Sequence, residues 1–142
     1  MATFEERIAL KASPAEVFPY LVEPDRLKRW LGGFVESRPL DGTEAGLGAK
    51  SVDVIRDNGR EVLMHTEIRR YEPPNRLEVS IRAPGMEAVS DYRLAGDETT
   101  ELTHRQQVRF RGFLRLMAPF IGGAMRRRLA DDLARLREAV ES

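Results

Sequence analysis

At Gly112 the apolar residues of this chain change from a long run of strand-like alternation to a helical period, and that change limits the folds open to it. Upstream, from Phe34 to Phe110, they alternate at every second position between short turn-forming clusters, as in half-buried strands. Downstream, Leu114, Met117, Ile121, Met125, Leu129, Leu133, Leu136 and Val140 recur at steps of three and four, the spacing of one face of a long helix. A chain that makes many strands and then one long amphipathic helix must lay that helix against its sheet.

The strand segments are separated by recognisable turns. Asp57-Asn58-Gly59 joins 50–56 to 60–71 as a hairpin, Glu72-Pro73-Pro74-Asn75 is the next turn, Ala83-Pro84-Gly85 follows 76–82, and Gly96-Asp97-Glu98 joins 87–94 to 99–110. The Gly-rich stretch 41–48 predicts a loop after a strand at 34–40. Upstream, residues 3–11 predict a strand with Phe4, Glu6, Ile8 and Leu10 on one face. Ser13-Pro14-Ala15-Glu16 then reads as a capping box opening a short helix with Val17, Phe18 and Leu21 on its apolar side. Glu23-Pro24-Asp25 starts a second short helix carrying Leu27, Trp30 and Leu31, stopped by Gly32-Gly33. Trp30 is expected to close the core beneath it. In the last helix, Pro119 and Gly122-Gly123 predict a kink or a separate first turn. Every strand connection from 34 onward is short, so the expected fold is α+β: a curved, seven-stranded antiparallel meander around a long C-terminal helix, with two short helices between the first two strands.

Composition sets the boundaries of function. The chain has 142 residues, 42% of them hydrophobic, enough for one domain over 1–142 with its own core. It has no cysteine, so thiol chemistry and thiolate metal sites are excluded. Its two histidines and scattered carboxylates show no metal-ligand spacing, so neither metal nor cofactor is expected. Basic and acidic residues balance at 23 each, which argues against a nucleic-acid partner. No apolar run reaches the roughly 20 residues that span a bilayer. The N-terminus has no basic segment followed by an apolar run, so a cytoplasmic location without a signal peptide is expected. Gly46-Leu47-Gly48-Ala49-Lys50-Ser51 has part of a phosphate-loop pattern but lacks Gly before Lys, and a strand follows it where a helix is needed.

The order of elements, with Ser13-Pro14-Ala15-Glu16-Val17-Phe18, Leu27-Lys28-Arg29-Trp30-Leu31, Thr100-Glu101-Leu102-Thr103 and the Arg-rich final helix, resembles the START-like (SRPBCC) superfamily of helix-grip folds. The likeness is greatest to its polyketide cyclase/dehydrase and lipid-transport group, and it extends over essentially the whole chain. These motifs are structural. The resemblance implies a cavity between sheet and C-terminal helix that takes lipids, polyketides or similar molecules, with the first half of the helix lining it and the second half packed near Phe18 and Leu21. It carries no catalytic residue onto this sequence.

Strand parity then nominates the wall. Ile8, Val62, Met64, Val79, Ile81, Tyr92, Leu102 and Val108 are the candidates from the sheet, and Met117, Ile121 and Met125 those from the helix. The turn at 97–99 sets Tyr92 opposite His104, which shares its face with Gln106. The superfamily's pairing of first and last strands brings Glu6 close, whereas His65 falls on the outer face with Glu61 and Glu67. Glu6, Tyr92, His104 and Gln106 thus form a candidate polar patch. The favoured reading is a binding module whose partner is a small hydrophobic ligand, with the patch a satisfied network or an orienting group. One alternative is a cyclase or dehydratase using His104 as general base and Tyr92 as donor. The other is a membrane-surface lipid carrier using the arginines between Leu102 and Ala130, a stretch without acidic residues whose favoured reading is a solvated face. Ligand identity, pathway and oligomeric state stay open.

Overall fold

In the computed structural model, which describes residues 1–40 and 45–142, the chain begins with β1 (Ala2–Leu10) and three single-turn helices, α1 (Pro14–Val17), α2 (Pro19–Val22) and α3 (Pro24–Leu27). Six strands follow: β2 (Phe34–Pro39), β3 (Lys50–Asp57), β4 (Arg60–Glu72), β5 (Arg76–Ala83), β6 (Met86–Ala95) and β7 (Thr100–Phe110). The chain ends in α4 (Phe113–Glu141). The sheet order is β1-β7-β6-β5-β4-β3-β2, and every neighbouring pair is antiparallel. This is the antiparallel meander with one long C-terminal helix expected from the change of period, and the helix-grip arrangement that the resemblance implies. Part of the expected loop at 41–48, residues 41–44, lies outside the described residues.

Local chemistry explains the elements. The Ser13 hydroxyl accepts from the Glu16 amide at 3.3 Å while the Glu16 carboxylate accepts from the Ser13 amide at 3.3 Å, a complete capping box. The first of the two expected short helices is divided, because Pro19 has no amide hydrogen with which to continue it and opens α2 instead. Asn58 and Gly59 both take positive φ, 51° and 78°, the geometry of a tight two-residue hairpin turn, and so set Asp57 opposite Arg60. α4 is continuous through Pro119, so no separate first turn forms. Arg115 and Pro119 are both exposed, which lets water hydrate the carbonyl that Pro119 leaves without a donor.

The main core joins Leu10, Val17, Phe18, Leu21, Trp30, Leu77, Leu94 and Leu102 to Leu133 and Leu136 of α4. Trp30 is fully buried and its indole N–H donates to the Tyr20 carbonyl at 2.8 Å. A smaller cluster joins Phe4, Ala88, Val108 and Leu129. The second half of α4 is clamped to the turn after α3. The Gly32 amide donates to the Asp132 carboxylate at 3.1 Å, Arg135 pairs with that carboxylate and donates to the Trp30 carbonyl at 3.0 Å, and Arg128 donates to the Gly32 carbonyl at 3.0 Å. A Cβ on Gly32 would lie 2.8 Å from the Arg135 guanidinium and 2.9 Å from the Asp132 carboxylate, so a side chain there would push both tips of the clamp aside. The first half of α4 is half-buried at Leu114, Met117, Ala118, Ile121 and Gly122 and has no fully buried residue.

Candidate functional site

Alternation along the strands sends one row of side chains from each of β2 to β6 to the concave face, and α2 and α3 overhang that part of the sheet. Between them lies a cleft of ≈ 540 Å³. Leu21, Val22, Leu27 and Leu31 form its roof, and Ile68, Tyr71, Leu77, Val79 and Ile81 its floor. Tyr92 and Ser90 bound it on the β6 side, whereas Ser37, Ser51, Asp53 and Thr66 make its far wall polar.

That polar wall is a connected group. The Ser51 hydroxyl lies 2.6 Å from the Thr66 hydroxyl and 3.1 Å from the Asp53 carboxylate, and Ser37 pairs with Asp53 across β2 and β3. Burial pushes the Asp53 carboxyl above its ordinary value, while hydrogen bonds from Ser37 and Ser51 pull the other way. The wall was absent from the candidates chosen by sequence, although its signal was present. The turn that pairs Asp57 with Arg60 also sets Ser51 opposite Thr66, and Ser51 and Asp53 share a face at a spacing of two.

On the other side, Tyr92 and His104 are opposite one another in the β6–β7 register and their rings stack at 4.2 Å with an interplanar angle of 13°. Tyr92 faces the cleft; His104 lies against it in the core, 4% exposed, and its Nε2 has no hydrogen-bond partner among the described residues. Burial pushes His104 down to about 4, against a smaller opposing pull from Asp91, so the ring is neutral at pH 7. Burial, reinforced by the Asp132 carboxylate, pushes the Tyr92 hydroxyl above its ordinary range and keeps it protonated. Glu6 is opposite His104 in the β1–β7 register, and the Gln106 amide donates to the Ser90 hydroxyl at 3.1 Å.

The structure therefore divides the candidate residues. Val79, Ile81 and Tyr92 line the cleft. Leu102 and Val108 are fully buried in the two core clusters, Ile8 packs on the first and Met125 on the second. Val62 and Met64 are half-buried on β4, as are Met117 and Ile121 on α4. The cleft lies under α2 and α3 rather than under α4, because the second half of α4 fills its own end of the sheet with Leu129, Leu133, Leu136 and Ala139. His65 is exposed, beside a depression on the outer face whose charged lining of Glu67, Arg69, Arg82 and Arg109 does not suit an apolar guest.

A curved sheet, a roof of short helices and an apolar cleft with polar ends define a helix-grip domain of the START-like (SRPBCC) class. The chain belongs to the polyketide cyclase / dehydrase and lipid transport family, whose sequence model matches residues 1–141. No curated protein matches it. Among solved structures it is similar to a Chromobacterium violaceum protein (20% identity, TM-score 0.75, covering 100% of this chain and 99% of that one). It is also similar to a protein from Thermus thermophilus (16% identity, TM-score 0.79, 98% and 97% covered). A third is DynU16, a protein of the dynemicin biosynthetic locus (20% identity, TM-score 0.73), of which this chain spans 47% while 99% of its own length is covered. At these identities the likeness is one of fold.

Proposed function

We propose that the chain binds one small hydrophobic molecule in the cleft between α2–α3 and strands β2 to β6. The observation that carries this reading is the lining itself. A space of ≈ 540 Å³ is within the usual range of small-molecule sites, and it combines apolar roof and floor with a few convergent polar groups. The apolar body of a guest gains by leaving water. Its polar end meets Ser51, Asp53 and Thr66, or the Tyr92 hydroxyl on the opposite side. The family's description embraces both cyclase or dehydrase chemistry and lipid transport, and each needs a place for such a molecule.

Binding is favoured over catalysis by the state of His104. A general base serves best when its pKa is near the working pH, and it must reach the proton it removes. His104 is pushed down to about 4 and is stacked against Tyr92 in the core. Mass spectrometry of the purified protein tests the reading. Under native conditions a fraction should carry one additional small mass, and denaturation should release an apolar compound into organic solvent. Protein purified without any such mass, and unable to take up added polyketide-like aromatics or fatty alcohols, would overturn it.

A further inference from the structure

Three large apolar side chains on α4 stand almost fully in water: Phe113 is 72% exposed, Leu116 75% and Phe120 78%. Their spacing of three and then four residues puts them on one stripe of the helix. The opposite side of the same segment is the side held by the protein. Leu114 approaches the turn at Gly85, Gly122 approaches Phe4, and Met117 and Ile121 are half-buried. The stripe therefore points outward. Contiguous apolar surface of this kind marks an interaction site.

Charge identifies what it meets. From Leu102 to Ala130 the sequence has no acidic residue, and it holds Arg105, Arg109, Arg111, Arg115, Arg126, Arg127 and Arg128. Two of these are neutralised within the fold, Arg111 by Glu87 and Arg128 by Asp57. Arg115, Arg126 and Arg127 have no carboxylate within ion-pair distance among the described residues. Arg127 follows Phe120 by seven residues and so continues the stripe, whereas Arg115 and Arg126 lie together to one side of it, Arg126 with its guanidinium 6.0 Å from the Phe4 ring. A second copy of this chain seated face to face would bring like charges together, with no acidic group in the segment to answer them. An anionic bilayer answers both halves of the pattern: its acyl boundary takes the phenyl rings and Leu116, and its headgroup phosphates take the guanidinium groups.

We propose that the first half of α4, from Phe113 to Arg127, is a docking surface for anionic lipid bilayers. The surface is separate from the cleft, so its use does not depend on what the cleft holds. Sedimentation of the full chain with vesicles tests it. Phosphatidylcholine vesicles containing about one third phosphatidylglycerol should pull down the protein at least tenfold more effectively than phosphatidylcholine alone, and raising the salt from about 0.1 to about 0.5 M should reverse most of the difference. Phe113→Ser with Phe120→Ser, and separately Arg115→Gln with Arg127→Gln, should each weaken vesicle binding by about tenfold or more while leaving the unfolding midpoint and the uptake of a cleft dye unchanged. Absence of binding to anionic vesicles at low salt would overturn the proposal, as would undiminished binding by the two double variants. So would a wild-type dimer in sedimentation equilibrium that Phe113→Ser with Phe120→Ser dissolves, since the stripe would then be a face between copies.

Discussion

His104 makes the stability of this domain depend on pH in a way that can be worked out in advance. Its ordinary value is 6.5, and burial lowers it to about 4 in the folded chain. A basic group depressed on folding binds fewer protons in the native state, so native stability is fully present above 6.5 and is lost as pH falls from there towards 4. Each pKa unit is worth about 1.4 kcal/mol, so the loss between about pH 7 and about pH 4.5 is roughly 2–3 kcal/mol. His104→Phe keeps a flat ring against Tyr92 and removes both the titration and the unpartnered Nε2. At neutral pH it should be as stable as wild type or somewhat more stable, because an unsatisfied buried nitrogen costs about 1–3 kcal/mol. At about pH 4.5 it should be more stable by a further 2–3 kcal/mol. Asp53 and Asp132, whose carboxyls are raised by burial, move stability in the opposite direction with pH, but they do so in both proteins and cancel in the comparison. Urea unfolding followed by the fluorescence of Trp30 at the two pH values measures it. Equal losses in the two proteins would mean that His104 titrates in the fold as it does in water.

The two halves of α4 should respond differently to truncation. Leu136→Ala, at a fully buried position in the main core, should cost about 2–5 kcal/mol, and Met117→Ala, at a half-buried one, less than about half of that in the same urea titration. Asp53→Asn should be neutral or stabilising at neutral pH. An acid raised by burial is penalised once pH exceeds its ordinary 3.8, so the wild-type protein should lose stability relative to the variant as pH rises from 3.8 through the folded value, the contributions of Asp132 and His104 being common to both. A large loss in the variant at neutral pH would show that the ionised carboxylate is needed to hold β2 and β3 together.

The strands, turns and register were legible in the sequence because each depends on neighbours in the chain. Asp57-Asn58-Gly59 dictates its own turn, and the turn dictates every pairing between β3 and β4. The stacking of Tyr92 on His104 followed from the same arithmetic at the next hairpin. The division of the first short helix was also written there, in Pro19, but the apolar spacing of Val17, Phe18 and Leu21 obscured it. The position of the cleft was not legible. Leu114, Met117, Ile121, Leu129, Leu133 and Leu136 have one spacing throughout, and only long-range contacts decide which of them are buried. Asp132 and Arg135 bind the second half of α4 to the turn at Gly32, and the first half is left against the rim. Nor does local pattern reveal that α2 and α3 overhang the floor of β4 and β5, because that depends on where the chain after β1 comes to rest.

The most direct test of the central claim is a Nile red titration of three proteins. Wild type should enhance the dye's emission and saturate at about one dye per chain, as expected for a single apolar site. Val79→Trp, which puts an indole on the cleft floor, should abolish that signal while the domain stays folded. Ile121→Trp, on the first half of α4, should leave it intact. A folded Val79→Trp protein that binds dye as wild type does, or loss of binding in Ile121→Trp alone, would contradict the placement of the ligand site beneath α2 and α3.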